Sequence, residues 1–341
     1  MGGSTVYPPD RLHAIMAGSG NPFGVMTPMA KRLIRALHDG MDVASAAQRL
    51  EISEREAHEI LDKLEEVSLI EKRGDTVALR FFVASETEVA SCLKLAHDVG
   101  RLLADHLLGQ WSELRKLYDR MAISRDAPLE SRSFLLVGDF ILDVGLLEAL
   151  ARDANLMPAA PHRPSLDSPD ARYYFWMIEG AHDQLGRYGQ RSIDLPWPAS
   201  QHVSFGEYWI DGEPNTSRNQ LYRTIKRMLD EKQVSSPEEL SQSVGSLFIG
   251  EADSQLWWDN TREAADGLVS VYRSQESRLR EFYLQTVASS SPGTSFAEFF
   301  CWFDHVAYAA AIDSLEEADV LTIPDSRYVA AVMYPGESNA Y

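Results

Sequence analysis

Three short amphipathic segments follow one another between residues 28 and 66, and each begins at a residue that favours a helix start. Pro28 is a good first helical residue, and Asp42 is a typical N-cap. Ser53 and Glu56 form a capping box, in which each side chain satisfies the other's backbone amide. Apolar residues recur every three or four positions after each start, so each segment buries one face. The spacing predicts three packed helices joined by short turns.

A short hairpin is predicted directly after the third helix. Glu71–Asp75 is a polar turn, and apolar residues alternate with others over Val77–Phe81, as they do along a strand. Residues 28–83 are therefore predicted to form one unit of three helices and a hairpin.

This order of elements resembles the winged helix-turn-helix fold of transcription regulators in the arsenic-repressor and multiple-antibiotic-resistance-repressor families. The resemblance lies in Ala30–Leu37, Asp42–Ser53 and Leu61–Arg73, and the unit covers about one sixth of the chain. It implies a third helix laid in the major groove of double-stranded DNA, and a hairpin, the wing, near the phosphate backbone.

Nine residues on the first helix, the third helix and the wing are candidates for contact with DNA. They are Lys31, Arg32, Arg35, Arg55, His58, Lys63, Lys72, Arg73 and Arg80. The outward face of the third helix nevertheless carries more acidic than basic side chains, and phosphates repel carboxylates there. The whole chain has a formal net charge of −19. Any affinity for nucleic acid must therefore depend on a local patch of cations.

A long helix is predicted after the hairpin. A second capping box, Ser85 with Glu88, opens a segment without proline that runs to about Met121 with apolar residues at helical spacing. A single helix there would be roughly 55 Å long, and Gly100 and Gly109 are the points at which it would break. A helix that outgrows its own domain usually packs against a partner, so we expect a homodimer.

The remainder of the chain predicts a mixed domain, which places the protein in the helix-dominant α+β class. Residues 1–27, rich in proline and glycine, are predicted to be an irregular arm before the winged helix (28–83), the connecting or dimerisation helix (84–128) and the C-terminal α+β domain (129–341). Strands are predicted at Ser133–Val137, Tyr173–Ile178, Val203–Ile210 and Tyr328–Met333, and helices at Ile141–Ala154, Asn215–Lys232, Ala252–Val287 and Phe296–Glu316. Because Tyr173–Ile178 is apolar on both faces, we expect it to be a central, buried strand.

Large aromatic side chains are concentrated in the C-terminal domain. Aromatic groups with a polar edge commonly line pockets for small organic ligands, and they also pack in cores and interfaces. The candidate ligand-binding residues are Tyr174, Trp176, Tyr208, Trp209, Trp257 and Trp258.

The sequence contains no recognisable cofactor or nucleophile motif. Glycine-rich nucleotide loops and a Gly-x-Ser-x-Gly elbow do not occur. Cys92 and Cys301 lie in apolar, helix-like segments, which does not favour a disulfide or a cysteine metal site. Asp304 and His305 are interpreted as a core histidine held by a carboxylate. We therefore expect no catalytic residue, cofactor or metal.

The leading hypothesis is a homodimeric, cytoplasmic, DNA-binding transcription regulator whose C-terminal domain senses a ligand or a partner protein. One alternative is an interaction protein that uses its winged helix for protein–protein contacts in a larger assembly. A weaker alternative is an enzyme with its site in the C-terminal domain, in which the winged helix only dimerises. The sequence shows neither a signal peptide nor an apolar run long enough to span a membrane.

Overall fold

The computed structural model describes residues 7–74, 76–153, 155–165, 168–180, 188–207 and 216–334, except for the side chains of residues 207 and 216–219. Within these residues the fold is helix-dominant α+β with small sheets, as the sequence predicts. No helix in the described part combines the length and the apolar character needed to cross a membrane.

Three helices and a hairpin follow one another where the sequence predicts them. They are α1 (Pro28–His38), α2 (Val43–Leu50), α3 (Glu54–Glu66), β2 (Ile70–Arg73) and β3 (Thr76–Leu79), which together we call the three-helix unit. Each helix is capped by the residue before it: Thr27, Asp42 and Ser53 each accept a hydrogen bond from the backbone N–H three positions on. Local capping thus fixes where each of these helices begins.

The N-terminal arm is not irregular throughout, which corrects the prediction for residues 1–27. Leu12–Gly18 forms strand β1, and its hydrogen-bonding partner is the distant strand β5 (Tyr173–Glu179). β5 also pairs in parallel with β4 (Phe82–Ala84), so β5 is the central strand of this sheet. The sequence around β1 does not predict this pairing, because a strand whose partner lies far along the chain has no turn signal beside it.

The two faces of β5 belong to different cores. Tyr173, Phe175 and Met177 pack with the buried residues of the three-helix unit, whereas Trp176 and Ile178 pack into the main core of the molecule. The prediction that this strand is buried on both sides is confirmed. The core of the three-helix unit therefore includes residues from outside 28–83.

The predicted long helix is continuous. It is α4 (Glu86–Tyr118), and neither Gly100 nor Gly109 breaks it. Its apolar face packs against two helices of the same chain, α8 (Glu251–Gln285) and α9 (Phe296–Glu317). The length of α4 therefore does not by itself require a second chain, and the homodimer stays a prediction.

The segment Ser133–Val137 is not a strand. Phe134–Asp139 is a fully buried π-helical turn that leads into α5 (Val144–Arg152). Its side chains fill the core, with the Phe134 ring 5.2 Å from the Tyr188 ring. A short apolar run has the same pattern in a buried strand and a buried helix, and the alternation of residues cannot separate them.

A second sheet and its covering helices complete the C-terminal part. The sheet has the order β6–β7–β9–β8, in which only β8 and β9 are parallel. The elements are β6 (Tyr188–Asp194), β7 (Gln201–Glu207), α6 (Thr216–Asp230), α7 (Pro237–Val244), β8 (Leu247–Ile249) and β9 (Tyr328–Met333). The sequence predicts β9 and the helices α5, α6, α8 and α9 to within a few residues. The strand predicted at Val203–Ile210 corresponds to β7, and residues 208–210 of that prediction lie outside the described residues.

Candidate functional site

The exposed face of α3 is acidic. Six carboxylates and two basic side chains point outward along it. The carboxylates are those of Glu54, Glu56, Glu59, Asp62, Glu65 and Glu66, and the basic residues are Arg55 and Lys63. His58 is also exposed on this helix. In a helix laid along a phosphate backbone these carboxylates would be repelled.

Several cations predicted to contact DNA are paired with neighbouring carboxylates. Arg55 Nε lies 2.9 Å from Glu59 Oε1, and Arg73 Nη2 lies 3.0 Å from Glu71 Oε2. Lys72, on the wing, pairs with Asp62 and Glu65 of α3. Its hydrogen bond to Asp62 raises the pKa of Lys72. The ion pairs of Lys72 thus hold the β2–β3 hairpin against α3, and both Lys72 and Arg73 are neutralised by neighbouring carboxylates.

The predicted cations of α1 face inward to different extents. Lys31 and Arg35 are buried, and Arg32 is half-buried. Arg35 Nε donates to Glu179 Oε2 of β5 at 3.0 Å, and Arg35 also pairs with Asp39. Arg35 therefore holds α1 onto the central sheet. Of the nine predicted residues, His58, Lys63 and Arg80 are exposed and have no ion pair within the described ranges.

The aromatic residues predicted to bind a ligand lie in different places. Tyr174, Trp176 and Trp257 are buried in the main core, where the Tyr174 hydroxyl donates to the Pro158 carbonyl. Trp258 instead lies on the wall of a cavity. Two further candidates, Tyr208 and Trp209, lie outside the described residues. The structure thus brings one of the six to a cavity that a ligand can enter.

That cavity has a volume of about 650 Å³ and lies among α5, α8 and the strands β6 and β7. Ala17–Ser19, at the end of β1, form part of its edge. Among the described residues, three carboxylates and three guanidinium groups line it. They belong to Asp143, Glu148 and Asp194, and to Arg152, Arg191 and Arg262. The charges on the wall therefore balance, although the chain as a whole is strongly acidic.

Partners within the protein hold four of these six groups. Asp143 Oδ2 accepts from the Gln190 backbone N–H at 2.9 Å, and Asp194 Oδ1 accepts from Gln201 Nε2 at 2.8 Å. Arg152 pairs with Asp266 of α8. The Arg191 guanidinium lies 4.1 Å from the centre of the Tyr222 ring, and burial lowers the pKa of Arg191. These four groups are in place before any ligand enters.

Glu148 and Arg262 differ from the other four. Glu148 is half-buried on α5 and Arg262 is exposed on α8. Across the described residues, neither side chain forms a hydrogen bond or an ion pair, so the two do not pair with each other. The cavity therefore presents one carboxylate and one guanidinium that are available to a bound molecule.

The aromatic part of the wall is formed by Phe140 and Trp258, whose ring centroids are 5.3 Å apart. The Trp258 indole N–H is buried and has no acceptor in the part of the chain that the structure describes. His305 also lines the cavity. Burial lowers the pKa of His305 to about 4, so the ring is neutral, and its Nδ1 donates to the Cys301 carbonyl at 2.7 Å.

The interpretation of Asp304 and His305 as one hydrogen-bonded pair is corrected in part. Both are buried, but Asp304 Oδ1 accepts from the Tyr272 hydroxyl at 2.6 Å, while His305 Nδ1 bonds to the backbone of its own helix. No cluster of metal-ligating side chains was found in the described ranges.

Sequence reasoning missed most of the cavity. A usable signal lies on α8, where Trp258, Thr261, Arg262 and Ala265 recur at helical spacing and so share a face that mixes polar and apolar residues. Val144, Leu147, Glu148 and Arg152 of α5 recur at helical spacing in the same way. Neither pattern shows that α5, α8 and β6 share one cavity, because only the tertiary fold brings them together.

Comparisons with known proteins found no relative: no family model matches the chain, and no curated protein or solved structure shows significant similarity to it.

Proposed function

We propose that this protein is a ligand-responsive regulator in which the three-helix unit is a winged helix that binds a macromolecule, and the cavity holds its effector. The position of β1 carries the proposal. Ala17–Ser19 line the cavity, whereas Ala14 and Met16 of the same strand pack into the core of the three-helix unit. A ligand that moves the end of β1 therefore acts on a strand that belongs to both sites.

The charge of α3 favours a protein partner with a basic surface. Complementary charge speeds and orients association between proteins, whereas like charge opposes it. Of the six exposed carboxylates of α3, those of Glu54, Glu56 and Glu66 form no ion pair within the described residues and suit lysine and arginine side chains. Lys72 and Arg73 of the hairpin are already paired within the unit. This supports an interaction protein that uses its winged helix for contacts with another protein.

Charge reversal on α3 tests this proposal. We expect the double variant Glu59→Lys and Glu66→Lys to bind a fluorescent oligolysine peptide about tenfold more weakly than the unchanged protein at low salt. Fluorescence anisotropy measures the affinity. The matched control is Asp230→Lys with Glu231→Lys, which makes the same change in net charge at exposed positions next to each other near the end of α6.

The control decides what the loss means. If both double variants lose the same affinity, the peptide senses net charge only, and α3 is not the docking surface. If the α3 variant binds as tightly as the unchanged protein, the proposal is wrong.

A DNA-binding transcription regulator is the second candidate. The exposure of α3 beside a two-stranded hairpin, with Lys63 and Arg80 accessible, favours it. This candidate predicts binding to a duplex from upstream of the gene, with an affinity that falls steeply with salt. It also predicts loss of that binding in Lys72→Glu with Arg73→Glu. Absence of binding at low salt would leave the protein-binding proposal as the better account.

A further inference from the structure

We infer that the cavity binds a zwitterionic small molecule, with a carboxylate and an ammonium group on an apolar body, as in a free amino acid. The inference rests on the proposed function, because it names the chemical class of the effector for the same cavity.

The two available charges define the polar end of the ligand. A guanidinium offers a planar pair of N–H donors that fits a carboxylate, which is the contact Arg262 can make. A carboxylate accepts hydrogen bonds from an ammonium group, which is the contact Glu148 can make. The two side chains lie on different helices and do not pair with each other. Because α5 and α8 pack against each other and both residues line one cavity, a molecule with both charges can contact both residues at once.

A ligand of one charge fits less well. The six charged side chains that the described residues contribute to the wall sum to zero, so an added anion or cation leaves one of Glu148 and Arg262 without a counter-charge. A bound ligand removes water from the half-buried Glu148 and from the part of the exposed Arg262 that lines the cavity, and a charge that loses water without gaining a partner is unfavourable. The cavity thus selects for a ligand whose own charges cancel.

The rest of the wall fits an apolar body. Phe140 and Trp258 form an aromatic surface, and Leu147, Val203 and Met333 add aliphatic groups. The volume of about 650 Å³ lies within the range of pockets that hold small organic molecules. Amino acids with aromatic or branched side chains therefore fit better than small polar ones.

Calorimetry with the full-length protein and each of the twenty standard L-amino acids tests the class. We expect L-phenylalanine or L-leucine to bind best and to change the tryptophan fluorescence through Trp258. The analogues 3-phenylpropionate, which lacks the ammonium group, and phenethylamine, which lacks the carboxylate, should each bind about tenfold more weakly than L-phenylalanine, because each loses a charge-assisted hydrogen bond.

Two variants give opposite patterns with these analogues. Arg262→Gln should weaken L-phenylalanine and 3-phenylpropionate and leave phenethylamine unchanged, whereas Glu148→Gln should weaken L-phenylalanine and phenethylamine and leave the acid unchanged. Glu263→Gln, at an exposed neighbour that does not line the cavity, is the control and should bind as the unchanged protein does.

The outcomes separate this inference from the function it rests on. If no amino acid binds, or if neither variant changes the affinity of one that does, the assigned ligand class is wrong. If L-phenylalanine binds with the expected pattern but hydrogen exchange in β1 and α1–α3 does not change, the ligand class stands and the proposed regulation fails.

Discussion

Asp304 is fully buried on α9, and its carboxyl group receives a hydrogen bond from the Tyr272 hydroxyl at 2.6 Å. Its second oxygen, Oδ2, has no hydrogen-bond partner within the described residues. Burial raises the pKa of Asp304 to about 8, the bond from Tyr272 partly opposes this, and the negative charge of Asp143 adds to it. The group is therefore protonated in the folded protein at neutral pH, whereas in the unfolded chain it ionises near pH 4.

This difference predicts how stability depends on pH. Between about pH 4 and about pH 8 the folded protein holds a proton that the unfolded chain releases, so the contribution of Asp304 to stability falls by about 1.4 kcal/mol per pH unit as pH rises. Asp304→Asn removes this dependence. We expect urea unfolding to show that the variant gains stability relative to the unchanged protein between about pH 5 and about pH 8. The exposed Asp105→Asn on α4 is the control, and an equal pH dependence in both variants would contradict the assignment.

At the scale of single residues, the sequence predicts the interactions that form between neighbours in the chain. The N-caps Asp42 and Ser53 were predicted correctly because an N-cap and its N–H donor lie three positions apart. That Asp304 and His305 are buried was also predicted, since both lie in an apolar helical run. The partner of Asp304 was not, because Tyr272 belongs to another helix and nothing in the sequence links the two. For the same reason Glu148 and Arg262 were missed as residues of one cavity.

Helices α4 and α9 approach each other closely at Gly100, which has no side chain. A methyl group at Gly100 would lie 2.6 Å from the Ala307 carbonyl oxygen and 2.7 Å from the Ala310 Cβ, so the backbones of α4 and α9 approach there more closely than a Cβ permits. A Cβ placed on Gly109, on the same helix, has no described atom within 4 Å other than the backbone of its own helix turn. The sequence predicted α4 through its regular apolar spacing, but it presented the two glycines as equivalent possible breaks.

The two glycines should respond in opposite ways to the same change. Alanine favours a helix over glycine by about 1 kcal/mol, which should make Gly109→Ala slightly more stable. Gly100→Ala gains the same helix preference, but its methyl group pushes α4 away from α9. Overpacking of this kind lowers the free energy of unfolding by about 1–3 kcal/mol. Thermal unfolding should therefore show a lower midpoint for Gly100→Ala alone. Equal midpoints for the two variants would mean that the helices can separate at little cost.

At the scale of the whole molecule, β5 joins the two regions that the sequence predicts as separate domains, the winged helix and the C-terminal domain. Its alternate residues pack into the three-helix unit on one side and into the α4–α9 core on the other, and Arg35 of α1 bonds to Glu179 at its end. The sequence predicted the class of the fold and the buried character of this strand. It did not predict β1 or the sharing of a sheet, because non-local strand pairing leaves no mark on either strand alone.

A shared central strand predicts that the three-helix unit and the main core unfold together. Phe175→Leu faces the three-helix unit and Ile178→Val faces the main core, and each should cost about 1 kcal/mol. If the sheet couples the two cores, hydrogen exchange will show that each variant lowers the opening free energy of amides in α1 and in α9 by the same amount. The two positions act as controls for each other, since they lie on opposite faces of one strand. If Phe175→Leu affected only α1 and Ile178→Val only α9, the molecule would consist of two independent cores. A ligand in the cavity would then have no route through β1 and β5 to the three-helix unit, so the same measurement also bears on the proposed regulation.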